Sequence, residues 1–388
     1  MSFPPIELSL ATDNLSNGEV QCTEVLNITN EDDAESYGYS RGETFYVTAF
    51  LPLVLTLGVL DNSAFIYVVF RVPRMQTSIN CYLLNLAVAD IVFLLAGIGE
   101  KIWRFRGSPI HGDDNPLGQG GCVWVYLVMD TAYFASLCFV SLVSIDRYCA
   151  VCRPRQRYVQ CKPKTTMLTV GSWLTSMCLS SALIPSNTNL TQVCLVYSDS
   201  GFFMDWPTRW GICTPTQPWM KAYANGMQTI PFFSTLFVNV TMFVLIVRGL
   251  NQSIERLQSH SEGEAEVDTH MRDRIARMLV INGVAFFVCL APFEIISFSD
   301  MVSSVRGEAY QLSSDAQAGL LYFSRSLAYI NCVINPIIYT VMSHRYRLAF
   351  KQAFHLGVAA GPVCTSTATK FVGSTTNEYL RVSLDTRV

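Results

Sequence analysis

Seven separate stretches of this chain are each long and apolar enough to cross a lipid bilayer as a helix, and that constrains the fold more than any single motif. They run at 45–70, 80–105, 122–148, 165–185, 222–249, 275–298 and 316–342. A hydrocarbon core of ~30 Å takes roughly 20 residues of α-helix. Backbone groups left unpaired in lipid are costly, so each stretch must close its own hydrogen bonds and coil. The expected fold class is an all-α membrane protein, a seven-transmembrane helix bundle followed by a short amphipathic eighth helix. Composition agrees: 50% of residues are hydrophobic and 15% charged, against about 25% charged in ordinary soluble chains.

Lysine and arginine set the orientation. Arg71 and Arg74 follow the first span, Arg153, Arg155, Arg157, Lys162 and Lys164 the third, and Arg345, Arg347 and Lys351 the last. The segment before the first span holds Glu19, Glu24, Glu31, Asp32, Asp33, Glu35 and Glu43 against Arg41 alone. The N-terminus is therefore expected outside and the C-terminus in the cytoplasm of a multi-pass plasma-membrane protein. The start, MSFPPIEL, lacks a basic stretch leading into an apolar core, so no cleavable signal peptide is predicted. Glycan acceptor triplets at Asn14, Asn27 and Asn189 all fall on the outer side.

Other function classes find little support. The net charge of −3 gives no basis for nucleic-acid binding. The thirteen cysteines form no paired metal motif, and no HExxH, Walker loop or dinucleotide fingerprint occurs. No enzymatic activity is expected. No repeat pairs the two halves, which weakens a transporter reading.

Ionisable residues within the spans are costly and mark function by default. IDRYCAVCRP at 145–154 carries an acid, an arginine and a tyrosine to the inner end of the third span. Twenty-five residues separate Cys122 from Arg147, about 38 Å of helix, so the two sit at opposite mouths. By itself Arg147 reads as a helix-end anchor whose head reaches the interface. Asp90 lies near the midplane of the second span, Ser136 at a similar depth in the third, and Asn331 and Asn335 share a face of the seventh at i, i+4. Oxygen-bearing side chains at one depth can hold a hard cation, or a water network.

In order along the chain stand LNLAVAD at 84–90, IDRY at 145–148, Trp173, Pro231, CLAP at 289–292 and NPIIY at 335–339. This series resembles the rhodopsin-like G-protein-coupled receptors over nearly the whole chain. The resemblance implies a switch formed by Asp146, Arg147, Tyr148, Asn335, Pro336 and Tyr339, with Arg147 meeting a heterotrimeric G protein. It also implies a sodium pocket at Asp90, Ser136, Asn331 and Asn335 that favours the inactive state, the ion being the sole cofactor expected. The chain departs from the pattern in places. Leu290 replaces a usual tryptophan, Asn239 a frequent tyrosine, and Asp61 a glycine, while Arg272 and Arg274 stand where some members carry an acid. Arg147 is therefore expected to be restrained mainly by Asp146.

Met129 stands where amine receptors carry aspartate, with Asp130 turned about 100° from it, and Tyr329 where opsins carry lysine. An amine receptor and an opsin are thus disfavoured. The expected ligand pocket comprises Glu100, Arg104, Met129, Asp130, Glu294, Arg325 and Tyr329. Arg325 either meets the carbonyls or acids of a peptide or pairs internally with Glu100 or Glu294. The second outer loop, with its aromatics and SDSG at 198–201, reads as a strand–turn–strand lid. The resemblance implies a disulfide from Cys122 to Cys213, with Cys194 as the alternative partner. Cys194 is then left to bond Cys22, or both stay as thiols. TSINCYLLNLAVAD and NCVINPIIYTVMSHRYRLAFKQAF, with Arg325, look similar to thyrotropin-releasing-hormone receptors and their neurotensin and ghrelin neighbours. The implied function is a receptor for an extracellular neuropeptide. The alternatives are an orphan or decoy receptor without G-protein coupling, or a seven-helix transporter.

The expected organisation is a flexible, glycosylated outer tail at 1–44, the receptor domain at 45–342, an amphipathic juxtamembrane helix at 343–356 and a disordered cytoplasmic tail at 357–388. Serines and threonines of that tail are candidate phosphosites for arrestin recruitment, and Cys364 for palmitoylation. The terminal DTRV offers Thr386 and Val388 to a PDZ domain.

Overall fold

The computed structural model describes residues 22, 24–28, 36–152, 162–197, 203–204, 206–259, 263–307 and 314–355. Eight long or amphipathic helices make up most of these. They are α1 (Arg41–Arg71), α2 (Ser78–Gly107), α3 (Gly118–Cys152), α4 (Lys162–Ser181), α5 (Met220–Ser259), α6 (Gly263–Arg306), α7 (Ser314–Met342) and α8 (His344–Ala353). Six helices among the described residues are separately long and apolar enough to span a membrane. The seventh, Ala316–Met342, qualifies together with α8, from which it is bent by 102°.

Local sequence explains the ends. Ser40 caps α1 with a reciprocal box: its Oγ accepts from Glu43 N at 3.2 Å, and Glu43 Oε2 accepts from Ser40 N at 2.9 Å. A wide π-helical turn at Tyr46–Phe50 precedes Pro52, whose missing N–H interrupts the hydrogen-bond ladder. Thr77 caps α2. Several helices outrun the expected spans: α5 continues to Ser259 and α6 begins at Gly263. Lipid fixes the apolar stretch but does not end the helix, so polar turns extend beyond the membrane.

The packing is inverted relative to a soluble protein. Leu53, Leu60, Met167, Leu174, Phe237, Val288 and Ile295 point outward and are exposed, as lipid requires. Asn62, Asp90, Asn239, Asn282, Glu294 and Asn335 are buried between helices. The central helix α3 contacts α2, α4, α5 and α6. A main apolar cluster around Phe134, Phe139, Phe232, Phe286 and Leu290 occupies the middle of the bundle.

Outside the bundle lies a three-stranded sheet of β1 (Glu24–Ile28), β2 (Asn189–Tyr197) and β3 (Arg209–Thr214). β2 and β3 pair antiparallel, as the expected hairpin requires, while the SDSG turn lies outside the described residues. β1 adds in parallel to β2, with Glu24 opposite Val193 and Ile28 opposite Tyr197. Within the outer segment 1–44, residues 24–28 thus form a strand. The ladder and the Cys22–Cys194 disulfide (Cα–Cα 5.6 Å) dock 24–28, and Ile28 packs with Ile110, Val193, Leu195 and Trp210. Asn27 and Asn189 are both exposed on this sheet. Asn14, Cys364, Thr386, Val388 and the basic loop 153–161 lie outside the described residues.

Candidate functional site

Helix α2 supplies the outer polar group. Arg104 is four residues after Glu100, so their heads meet on one face, Nη2 to Oε1 at 2.5 Å. Lys101 Nζ holds the other Glu100 oxygen at 2.9 Å. Arg104 also donates to Tyr126 Oη on α3 at 3.0 Å and pairs with Asp114 in the first outer loop. Asp114 Oδ2 accepts from Cys213 N at 2.7 Å, and Asp113 Oδ1 accepts from Gly211 N at 2.9 Å. Charge on α2 is thereby wired to β3 and to the Cys122–Cys213 disulfide (Cα–Cα 5.6 Å). Burial raises the Asp114 carboxyl above its usual range, against the pull of Arg104.

Of the two readings open for Arg325, the internal pairing with Glu100 or Glu294 is not formed. Glu100 is taken by the nearer Lys101 and Arg104 of its own helix, and among the described residues no carboxylate lies within ion-pair distance of Arg325. Arg325 is half-buried on α7. Deeper in the cavity, Tyr329 and Met129 converge on Gly97: a side-chain carbon there would meet the Tyr329 ring at 3.1 Å and Met129 Sδ at 3.4 Å. Asp130 lines a small cleft together with Ser180 and Leu183. Glu294 is fully buried and accepts from Tyr133 Oη at 2.6 Å.

A second outer cluster was not anticipated. Tyr322 Oη on α7 donates to Glu43 Oε1 at 2.8 Å. With its proton so used, it accepts from His111 Nε2 at 2.8 Å. His111 N donates to Tyr37 O at 2.8 Å. The N-terminal segment, first outer loop and α7 thus share one network. Burial lowers the His111 pKa, opposed by Glu43 and assisted by Lys101, Arg104 and Arg325. Burial also pushes the Tyr39 phenol up to about 12. No local motif announces these contacts, since each joins residues far apart in sequence. Farther out, an open cleft of about 770 Å³ is lined by Trp103, Arg106, Asp113, Pro116 and Arg209. It includes none of the expected ligand residues.

At the midplane Asn335 Nδ2 donates to Asp90 Oδ2 at 2.7 Å. Asp90 Oδ1, Asn331 Oδ1 and Asn335 Oδ1 are buried without hydrogen-bond partners. Ser136 is buried and donates to Ala132 O, leaving its lone pairs available. One carboxylate and several neutral oxygens fit a hard cation such as sodium. Asn62 ties α1 to α7, donating to Cys332 O at 2.8 Å.

At the inner end Arg147 Nη2 meets Asp146 Oδ2 at 2.6 Å, both side chains buried. Tyr148 packs on the cluster around Val151 and Ile246. Asn239 of α5 binds two α3 serines: Ser144 Oγ donates to its Oδ1 at 2.6 Å, and its Nδ2 donates to Ser141 Oγ at 2.9 Å. Tyr339, three residues past Pro336, is buried against Phe65 and Tyr346 and accepts weakly from Asn282 at 3.4 Å.

Residues 61–339 match the profile of the family described as 7 transmembrane receptor (rhodopsin family). The chain is 27% identical to the rat somatostatin receptor type 5, over 78% of this chain and 76% of that protein. It is 27% identical to the rat neuromedin-U receptor 1, over 92% and 86%. The human neuromedin-U receptor 2 is also 27% identical, over 85% and 77%.

Proposed function

The chain belongs to the rhodopsin family of seven-transmembrane receptors, and on that premise we propose that it is a receptor for an extracellular peptide that signals through a heterotrimeric G protein. The observation that carries this is the polarity of the bundle. A charged, sheet-covered mouth holds Arg325 without an ion-pair partner among the described residues, while a closed Asp146–Arg147 pair guards the opposite end. The relatives' names, somatostatin and neuromedin-U receptors, support a peptide ligand.

The receptor has two packings, and the ligand favours the one it binds better. In the resting one Asp146 holds Arg147, Asn239 ties α5 to α3, and Tyr339 is stored against Phe65. Prolines 231, 292 and 336 interrupt α5, α6 and α7, giving those helices points at which to bend. Opening the inner end frees Arg147 for the transducer. Asp90, Ser136, Asn331 and Asn335 would hold a sodium ion, which supplies positive charge to the buried carboxylate and favours the resting packing. The protein sits in the plasma membrane with Asn27 and Asn189 outside, each a glycan acceptor. Tail phosphorylation would recruit arrestin, and Thr386 with Val388 would bind a PDZ domain.

The test is calcium release in transfected cells challenged with a neuropeptide library, with Arg325→Ala alongside. A hit that is lost or shifted to higher concentration in the variant supports the reading. A hit with equal potency in the variant removes Arg325 from the pocket, and silence toward every peptide rejects the peptide class.

A further inference from the structure

Two carboxylates in the outer half of the bundle, Glu294 on α6 and Asp130 on α3, have no cation within ion-pair distance among the described residues. Glu294 is 0% exposed; Oε1 accepts from Tyr133, and Oε2 accepts from nothing. The Thr229 hydroxyl of α5 stands beside the same carboxylate without completing a hydrogen bond. Asp130 is close enough for the two negative charges to repel. The nearest outer cations lie on the α2 and α7 side. Lys101 and Arg104 face Glu100 and Asp114, and the charge of Arg325 bears on Glu100 and Lys101. A carboxylate enclosed by helices with no counter-ion is expensive, and it marks a functional position.

We propose that Glu294, flanked by Tyr133 and Asp130, is a subsite for a cationic group of the ligand, the lysine or arginine side chain of a peptide. The ligand is then dipolar. Its cation goes to the α3–α6 side and its acidic or carbonyl-bearing part to Arg325 on α7. A long side chain suits the position, because Glu294 is fully buried and only a slender apolar stem can carry a charge to it. The subsite also adjoins the moving parts. Glu294 lies one helical turn outward of Leu290, which packs with Phe232, Phe286 and Phe287. The Tyr133–Glu294 hydrogen bond itself joins α3 to α6. A cation recruited to Oε2 changes that cross-link directly, in a bundle where leucine occupies the usual tryptophan position.

This inference rests on the peptide-receptor reading. The probe is a set of synthetic octapeptide pools, each with one position fixed as Arg, Lys, citrulline or Glu and the rest randomised. Wild type, Glu294→Gln and Asp130→Asn are compared at matched surface staining, which excludes variants that fail to fold. Arg- and Lys-fixed pools should activate wild type and citrulline pools should not. Glu294→Gln should need about tenfold or more peptide for the same response, the loss of roughly one charge-assisted contact. Activation indifferent to the fixed basic residue, or a Gln variant of unchanged potency, overturns the subsite and leaves the peptide reading standing. Silence of wild type toward every pool overturns both.

Discussion

Ser144 of α3 donates a 2.6 Å hydrogen bond to Asn239 of α5, three residues before Arg147 on the same helix. Asn239 is fully buried and spends its amide on Ser141 and on Thr235 O as well. It therefore joins α3 and α5 one turn outward of the Asp146–Arg147 pair.

Asn239→Leu should remove both α3–α5 hydrogen bonds, leaving Ser141 and Ser144 only the carbonyls of Leu137 and Val140 on their own helix, and loosen α5 from α3. Each intramolecular hydrogen bond lost contributes about 0.5–1.5 kcal/mol. Ligand-independent signalling should rise and the melting temperature in detergent should fall. Unchanged values of both would remove Asn239 from the resting-state clamp.

Arg104 balances Glu100 and Asp114, all three side chains less than a tenth exposed. Arg104→Ala should cost about 3–5 kcal/mol, because it leaves two buried acids without their common partner. Arg104→Lys should recover only part, since the shorter lysine stem does not place its ammonium where Arg104 Nη2 meets Glu100, Tyr126 and Asp114 together. Surface expression and thermal stability measure this; full rescue by lysine would show that charge alone matters.

His111 has a pKa below its usual 6.5, with burial as the leading cause. A depressed folded value means that its contribution to stability is present above 6.5 and is lost as pH falls through the folded value. Acidification below 6.5 should loosen the Tyr37–His111–Tyr322–Glu43 network. Hydrogen exchange at 36–45 and 108–114 should accelerate in wild type and be less pH-sensitive in His111→Gln. Equal pH dependence in both would assign the effect to another group.

Sodium, compared with potassium at equal ionic strength, should lower basal nucleotide exchange on a co-expressed G protein. Asp90→Asn should abolish the difference by removing the only formal charge among Asp90, Ser136, Asn331 and Asn335. A sodium effect that survives this substitution would place the ion elsewhere.

The helical bundle was legible in the sequence because lipid leaves an apolar segment few ways to satisfy its backbone. The switch pair was legible for a similar reason: Asp146 and Arg147 are adjacent, so their contact needs no knowledge of the fold. Arg325 was harder. Its depth could be read from its spacing to Asn335, but its partner depended on whether Glu100 turned inward or along its own helix. Helical i, i+4 geometry favoured Arg104. Strand β1 was the least visible, because EVLNI is short and its parallel partner begins more than 160 residues later. The Asn239 clamp could be noticed only as a departure from the family pattern; that two α3 serines answer it needed coordinates.

Two covalent rivets meet on one hairpin: Cys194 of β2 is bonded to Cys22, and Cys213 of β3 to Cys122 of α3. Tension applied upstream of Cys22 would therefore travel through the hairpin into α3 and would not first peel α1 from its neighbours. The 172-residue interval between Cys22 and Cys194 would add no contour length in a single-molecule stretching trace until a reductant opened that bridge. The receptor's outer rim would thus bear load before its first helix does.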